Sequence, residues 1–147
     1  MQEVVHPRDV NRARSILWAA FAILAADRVA KMLAALDVTA RLLPGVEFRL
    51  FRNDGIAFSI PVPDIVFWPV AVLALAALIR LWNALREEDE VGAALVVMIL
   101  LGALSNVADK ALTGAITDYI IFFGRSAVNI ADGMIVGGAL AMILRKK

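Results

Sequence analysis

The chain has 147 residues, 61% of them hydrophobic, and its mean hydropathy is +0.78. Soluble domains average about 45–50% apolar residues, so the composition predicts a membrane protein, built as a single domain over residues 1–147. The absence of cysteine excludes disulfides and cysteine nucleophiles. The single histidine, His6, argues against a catalytic triad or a histidine metal site, and a net charge of +1 gives no support to a nucleic-acid partner.

Four apolar runs predict an all-α integral membrane fold with four transmembrane helices. The spans cover about residues 14–36, 65–82, 91–107 and 130–144. A spanning helix needs about 20 largely apolar residues, so these runs reach that length only with some polar residues at their ends. Arginines followed by twelve apolar residues at the start of the first run are also typical of a cleaved signal peptide, but the helical pattern continues to Leu36.

Basic residues flank the first and last runs and predict the orientation. They are Arg8, Arg12 and Arg14 before the first run, and Arg145, Lys146 and Lys147 after the last. Positive flanks face the cytoplasm, so both termini are expected there, and the segments 37–64 and 108–129 are expected outside. In the first of these, alternating residues 46–51, a turn at Asn53-Asp54-Gly55 and apolar residues 56–60 predict a small β-hairpin between helices 1 and 2.

Charged and amide residues, which are costly in lipid, recur at the outer ends of three spans. The pairs are Asp27 and Lys31, Asn106 and Asp109, and Asn129 and Asp132. A spacing of three or four places each pair on one helical face. With Asn53 and Asp118, they predict one polar layer at the outer surface.

Each of these residues also has a plainer interpretation. Asp27 and Lys31 have the spacing of a purely structural ion pair, because the acid precedes the base by one helical turn. Asn129 can cap the fourth helix with Asp132 near the positive end of its dipole, and Asp118 can be a solvated loop carboxylate. These interpretations explain poorly why all the residues fall at one depth.

Two carboxyl groups close together in a dry site cannot both ionise cheaply, so one keeps its proton. Such a pair can hydrolyse a peptide bond: the ionised member takes a proton from water and the protonated member donates one to the scissile carbonyl oxygen. This chemistry needs no cysteine, histidine or metal. The sequence offers Asp118 and Asp132 for it.

At these residues the chain resembles the bacterial lipoprotein signal peptidases (signal peptidase II), over nearly its whole length. The segments are DRVAK at 27–31, NDGIAFS at 53–59, SNVADKALTGAITDYI at 105–120 and VNIAD at 128–132. They are similar to the family patterns D-x-x-x-K, N-x-G-x-A-F-S, G-N-x-x-D-R-x-x-x-G-x-V-x-D-F-I and F-N-x-A-D. Each pattern alone is weak, but the four occur in the family's order.

The resemblance implies a membrane-embedded aspartic endopeptidase that removes the signal peptide from diacylglyceryl-modified prolipoproteins, cleaving before the lipidated cysteine. It implies Asp118 and Asp132 as the catalytic pair and the hairpin as part of a strand cradle, at the outer face of the bacterial inner membrane. The implied substrate-binding or supporting residues are Asn53, Gly55, Asn106, Asp109, Lys110, Asn129, Asp27 and Lys31. No metal or cofactor is expected; the expected partners are the lipid-modified substrate and membrane lipid, and the protein is expected to be a monomer.

Several positions depart from the family patterns. Ser105 stands for Gly, Lys110 for Arg, Tyr119 and Val128 for Phe, and Ala30 for a residue that commonly carries a hydroxyl. Lys110 matters most, because lysine cannot reproduce the planar bidentate fork of arginine. Asp109 and Lys110 are expected to brace the outer loop.

Two other functional classes remain open from the residues alone. A proton-coupled transporter or channel would use intramembrane carboxylates as a relay, but these would lie near mid-membrane on a through-path, not at one end. A non-catalytic assembly factor would use polar residues to join helices. In the fourth span, Gly137 and Gly138 are expected to allow close helix approach.

Overall fold

A computed structural model describes residues 7–55 and 62–145, and these residues form four helices and one four-stranded sheet. In chain order the elements are α1 (Pro7–Ala35), β1 (Ala40–Leu43), β2 (Val46–Asn53), α2 (Asp64–Leu85), α3 (Glu90–Thr113), β3 (Ile116–Phe122), β4 (Ser126–Val128) and α4 (Ile130–Leu144). All four apolar runs that predict helices are helical. α1 continues without a break through the residues that follow its first apolar stretch.

The distribution of side chains is the reverse of that in a soluble protein. Large apolar side chains are exposed on the helices, among them Trp18, Leu73 and Ile143 at 76%, 70% and 76%. Charged and amide side chains are buried instead; they include Asp27, Lys31, Asn53, Asn106, Asp109, Lys110, Asp118 and Asn129. Exposed apolar surface on this scale marks contact with lipid or another apolar partner. Within residues 7–55 and 62–145, α2 and α3 are long and apolar enough to cross a membrane, and α4 is apolar but has only 15 residues.

Helix α3 is the centre of the helical part and packs against α1, α2 and α4. Its ends are set locally: the Asp89 side chain accepts a hydrogen bond from Gly92 N–H at the start, and Gly114 takes a left-handed conformation (φ 79°) after the end. Gly138 of α4 lies against α3, since a Cβ there would be 2.7 Å from Ile99 Cγ1. Gly137 has only Met98 Cε near such a Cβ, at 3.9 Å, so the expectation of close approach is correct for Gly138 and wrong for Gly137.

The sheet has the order β1-β2-β3-β4 and is antiparallel throughout. It therefore joins both predicted outer segments, because β1 and β2 come from the first and β3 and β4 from the second. Strand β2 pairs with β3 so that Phe51 lies opposite Asp118 and Asn53 lies opposite Ile116. This register carries Asn53 towards the end of β3 that bears Asp118.

The hairpin between helices 1 and 2 has a different turn from the predicted one. β1 and β2 are joined at Pro44-Gly45, where Gly45 has a φ of 78° and a Cβ would meet the Phe123 ring at 2.4 Å. The Asn53-Asp54-Gly55 turn follows β2, but the strand predicted after it, residues 56–60, lies outside the described residues. The described partners of β2 are β1 and β3.

The second segment predicted to lie outside, residues 108–129, also differs from the prediction. The predicted span ends at residue 107, but α3 extends to Thr113 and includes Lys110 as well as Asp109, whose spacing from Asn106 already predicts a helical position. The residues after it form β3 and β4, which alternation could not predict: the burial of Ile116, Asp118, Tyr119 and Ile121 shows that β3 is covered on both faces.

Candidate active site

Asp118 and Asp132 lie where the sheet meets helix α4. Asp118 is on β3 and its side chain is 1% exposed, whereas Asp132 is in the first turn of α4 and is partly accessible. The hairpin formed by β3 and β4 leads directly into α4. It therefore turns the chain so that Asp118 and Asp132, which are fourteen positions apart in the sequence, lie in the same site. The burial of Asp118 shows that it is not a solvated loop carboxylate.

Asn129, the residue between β4 and α4, joins the two carboxyl groups. Its Nδ2 donates to Asp118 Oδ1 at 2.6 Å, and its Oδ1 accepts from Asp132 N–H at 2.8 Å. In return, Asp132 Oδ2 accepts from Asn129 N–H at 3.2 Å. The last two bonds are a capping box, as the plainer interpretation expects, and the bond to Asp118 is additional to capping.

Asn106 of α3 holds the other oxygen of Asp132. Its Nδ2 donates to Asp132 Oδ1 at 2.7 Å, while its Oδ1 accepts from Asn129 Nδ2 at 3.1 Å and from Lys31 Nζ at 2.8 Å. Because an ammonium group can only donate, the contact with Lys31 fixes which side of the Asn106 amide faces Asp132. Both oxygens of Asp132 therefore accept N–H donors.

Asn53 holds the other oxygen of Asp118. It is the last residue of β2 and is buried, and its Nδ2 donates to Asp118 Oδ2 at 2.9 Å. Its Oδ1 accepts from Gly55 N–H at 3.0 Å, which orients the amide. Asp118 thus receives one amide donor on each oxygen, from Asn53 and from Asn129.

The environment of Asp118 favours its protonated form. Burial raises the pKa of this carboxyl from the ordinary 3.8 to about 6; the Asn53 hydrogen bond opposes the rise, and the neighbouring charge of Asp132 adds to it. A carboxyl group with a pKa near 6 beside a second one lets the pair hold a single proton close to neutral pH. That is the protonation state that an acid–base pair requires.

A group of charged side chains from α1 and α3, buried except for Arg28, lies next to the pair. Asp27 is 0% exposed, and Lys31 Nζ lies 3.3 Å from Asp27 Oδ2 and 2.7 Å from Asp109 Oδ2. Arg28 Nη2 lies 2.7 Å from Asp109 Oδ1. Asp27 and Lys31 thus form a buried ion pair, and Lys31 connects this group to the aspartates through Asn106.

Tyr119 and Ser105 also belong to this arrangement, although the sequence does not single them out as site residues. The Tyr119 hydroxyl donates to Asp27 Oδ1 at 2.9 Å, and Ser105 Oγ donates to Asp27 Oδ2 at 2.7 Å. The only sequence signal is that both positions depart from the family patterns by adding a hydroxyl. Without strand β3, the direction of the Tyr119 side chain could not be inferred.

Lys110 is buried, but it takes no part in the hydrogen bonds that the described residues make around the two aspartates. Its Nζ donates to the Asp54 carbonyl at 2.7 Å, lies 3.0 Å from Asp64 Oδ1 and is 5.5 Å from the centre of the Phe67 ring. It thereby connects α3 to the turn after β2 and to the start of α2. These contacts are of the kind expected if Lys110 braces the segment after β2.

The groups that the site presents for chemistry are two carboxyl groups and the amides of Asn53, Asn106 and Asn129. Within the described part of the chain, no group of three or more His, Asp or Glu side chains is placed to hold a metal ion. The other predicted residues surround the pair: Gly55 orients Asn53, and Asp27, Lys31 and Asp109 form the adjacent ion pairs. All of the predicted residues except Lys110 belong to one connected set of hydrogen bonds and ion pairs.

Comparisons with known proteins agree in the family that they indicate. The family model described as "Signal peptidase (SPase) II" matches residues 19–146. A lipoprotein signal peptidase of Shewanella baltica is 30% identical over 140 residues, covering 86% of this chain and 81% of that protein. One from Mycobacterium avium is 29% identical over 154 residues, covering 93% of this chain and 81% of that protein.

Solved structures show the same fold at lower sequence identity. A bacterial membrane enzyme determined by the in meso method at 2.3 Å resolution matches with a TM-score of 0.75 and 22% identity, covering 88% of this chain and 85% of that one. A second, at 1.9 Å resolution, matches with a TM-score of 0.72 and 22% identity, covering 90% of this chain and 94% of that one.

Proposed function

This chain belongs to the signal peptidase II family, and we propose that it is an aspartic endopeptidase that removes the signal peptide from diacylglyceryl-modified prolipoproteins. As a member of a membrane enzyme family with exposed apolar helices, it is a membrane protein. Under the proposal, cleavage occurs before the lipidated cysteine, at the outer face of the bacterial inner membrane, with both termini in the cytoplasm. The enzyme acts as a monomer and needs no cofactor.

The observation that carries the proposal is the bridge between Asp118 and Asp132 made by the single side chain of Asn129. A capping box alone would need no contact with a strand residue. Here, the capping residue also donates to a buried carboxyl group whose pKa is raised to about 6. Two carboxyl groups in unlike environments, one buried and one partly accessible, are typical of an acid–base pair.

The proposed reaction uses the pair as one unit. The ionised carboxylate takes a proton from water, the resulting hydroxide attacks the scissile carbonyl carbon, and the carboxylic acid donates its proton to the carbonyl oxygen. When the C–N bond then breaks, the carboxyl that received the water proton donates it to the leaving amine, and the tetrahedral hydroxyl returns its proton to the other carboxylate. The pair ends with the one proton that it had at the start.

The residues around the pair have two proposed roles. Asn53, Asn106 and Asn129 hold the aspartates through donors on all four carboxylate oxygens, together with the Asn129 backbone N–H. Preorganised donors of this kind act without reorganising during the reaction. The buried ion pairs of Asp27, Lys31 and Asp109 hold α1 against α3 next to the site.

The test is cleavage of a diacylglyceryl-modified prolipoprotein by the purified protein in detergent or lipid, with and without a chelator. We expect chelator-insensitive cleavage, reduced by about 10²–10⁴-fold in Asp118→Asn and in Asp132→Asn. Asp9→Asn, at an exposed aspartate in the first turn of α1, is the matched control and should cleave at the parental rate.

Either aspartate variant, shown to be folded, cleaving at the parental rate would refute the catalytic pair. Proton-driven uptake into vesicles by a folded protein that cleaves nothing would instead support the transport alternative.

A further inference from the structure

Tyr119 lies beside Asp118 on β3 and is 1% exposed. Consecutive residues of a strand point to opposite faces, so Tyr119 points away from the side that carries Asp118. Its hydroxyl donates to Asp27 Oδ1 at 2.9 Å and accepts from Ile130 N–H at 2.9 Å. One oxygen atom thus connects β3, α1 and the start of α4.

The first turn of α4 has N–H groups that the helix itself cannot satisfy. Three of these N–H groups donate hydrogen bonds to side chains outside the helix. Ile130 N–H donates to the Tyr119 hydroxyl, Ala131 N–H to Asp27 Oδ1 at 3.2 Å, and Asp132 N–H to Asn129 Oδ1. The first two depend on the Tyr119–Asp27 contact. A negative charge at this end also suits the helix dipole.

We infer that Tyr119 is a positioning residue, whose hydroxyl, together with Asp27, holds the first turn of α4 so that Asp132 faces Asp118. The inference rests on the proposed peptidase function, which it deepens. Asp132 is the third residue of this turn, and a rotation or shift of the turn moves its carboxyl group directly. Reaction rates are sensitive to such misplacement, since about 1 Å can cost about 10²-fold.

The other oxygen of Asp27 supports the same arrangement. Ser105 Oγ donates to Asp27 Oδ2 at 2.7 Å and accepts from Lys31 Nζ at 3.2 Å. Each oxygen of Asp27 therefore accepts a hydrogen bond from a hydroxyl group. The family patterns have no hydroxyl at either position, because they carry Gly where this chain has Ser105 and Phe where it has Tyr119. Two of the departures from the family patterns, Ser105 and Tyr119, thus meet at one carboxylate, and their hydroxyl groups hold the side chain that accepts Ala131 N–H.

Tyr119→Phe separates this role from simple packing. The ring and its contact with Phe48, at 5.5 Å between centroids, are retained, and only the oxygen is lost. We expect kcat to fall about 10- to 100-fold with KM changed by less than about twofold, because the hydroxyl positions a catalytic group and contacts no substrate. Hydrogen–deuterium exchange of the Ile130 and Ala131 amides should accelerate, while exchange later in α4 stays parental.

Thr113→Val is the matched control, because it removes a hydroxyl that bonds the Asp109 and Ala115 carbonyls and does not contact α4. It should keep the parental kcat and the parental exchange of both amides.

4-Aminophenylalanine in place of Tyr119 retains a donor for Asp27 and should recover part of the lost kcat. If the Tyr119→Phe protein does not fold, kcat and amide exchange are measured on the 4-aminophenylalanine protein instead.

The outcomes separate the inference from the proposed function. If the parent cleaves and the Asp118→Asn and Asp132→Asn proteins do not, the function stands; a Tyr119→Phe protein with parental kcat and parental amide exchange then overturns the positioning role alone. Loss of kcat without faster exchange at Ile130 and Ala131 also overturns it. A folded parent that cleaves nothing overturns the proposed function and, with it, the role of Tyr119 in that reaction.

Discussion

Asn129 Nδ2 lies 2.6 Å from Asp118 Oδ1, so the residue that caps helix α4 also holds the buried aspartate of strand β3. The two functions use different atoms. Oδ1 caps the helix by accepting from Asp132 N–H, and Nδ2 donates to Asp118 and to Asn106 Oδ1. Substitutions can therefore remove one function and leave the other.

Asn129→Ser and Asn129→Ala distinguish capping from bridging. Serine is a good N-cap but cannot donate across to Asp118 as the amide does, so we expect Asn129→Ser to unfold within about 1 kcal/mol of the parent and Asn129→Ala to lose about 1–2 kcal/mol. Both should lose about 10- to 100-fold in kcat, since an aspartate loses its donor. Thermal unfolding and cleavage assays give the two quantities. Full activity in the serine protein would mean that Asn129 only caps the helix.

Asn53→Ala should change the pH dependence. The pKa of Asp118 is raised to about 6, chiefly by burial, and the Asn53 hydrogen bond opposes that rise by stabilising the ionised form. The proposed active form carries one proton on the pair, so kcat/KM of the parent should fall as the pH rises through about 6. Without the Asn53 donor the pKa rises further, and the alkaline limb should move to higher pH.

The same shift affects stability. Because the folded pKa of Asp118 lies above its ordinary value of 3.8, its contribution to stability is complete at acid pH and is lost as the pH rises through about 6. Profiles of kcat/KM against pH for the parent and for Asn53→Ala check the prediction. An alkaline limb that stays in place, or moves to lower pH, would contradict the assigned effect of the hydrogen bond.

The helices and the polar layer could be predicted from the sequence because each depends on local information. Apolar runs of spanning length predict helices, and polar residues at three helix ends predict a common depth. The capping box joins Asn129 and Asp132 at a spacing of three positions, and the buried ion pair joins Asp27 and Lys31 at a spacing of four. Each of these features depends on residues that are close together in the sequence.

The sheet and the hydroxyl contacts depend on which distant segments meet, so they could not be predicted. β2 pairs with β3 across the whole of α2 and α3, and no periodicity within either strand encodes that register. Tyr119 contacts Asp27 over 92 positions of sequence. The sequence also did not show how far α3 continues beyond Asp109, because the burial of Lys110 depends on its ion pair with Asp64 of another helix.

Lys31→Met should destabilise the fold strongly. Lys31 lies between two buried carboxylates, Asp27 and Asp109, and its removal leaves negative charge without its main partner. Breaking a buried pair in this way costs about 3–5 kcal/mol. Arg49→Met, which breaks the exposed contact with Glu47, should cost less than about 1 kcal/mol. Unfolding in detergent measures both, and equal effects would show that burial of the Lys31 pairs adds no stability.

Lys110→Met should weaken the hold on the turn after β2. The Asp54 carbonyl loses its donor, and this turn includes Gly55, which orients the Asn53 amide towards Asp118. Loss of such a partner costs about 1–3 kcal/mol, so we expect kcat/KM to fall about tenfold or more. Asp64→Asn is the comparison, because Asp64 is 66% exposed and its ion pair with Lys110 should contribute little. Larger loss in Asp64→Asn than in Lys110→Met would contradict a role for the Asp54 contact.

Gly102→Ala tests the close approach of α3 to the first turn of α4. A Cβ at this position would lie 2.7 Å from the Ala131 carbonyl oxygen and 3.0 Å from Met134 Cβ, and a backbone oxygen cannot move without moving the turn. We expect a loss of about 1–3 kcal/mol in stability and a lower kcat, because Asp132 directly follows Ala131. Gly137→Ala is the matched control: its Cβ would meet only Met98 Cε at 3.9 Å, so it should be neutral or stabilising by up to about 1 kcal/mol. If the two alanine variants unfold at the same temperature and cleave at the same rate, the spacing between α3 and α4 does not position Asp132.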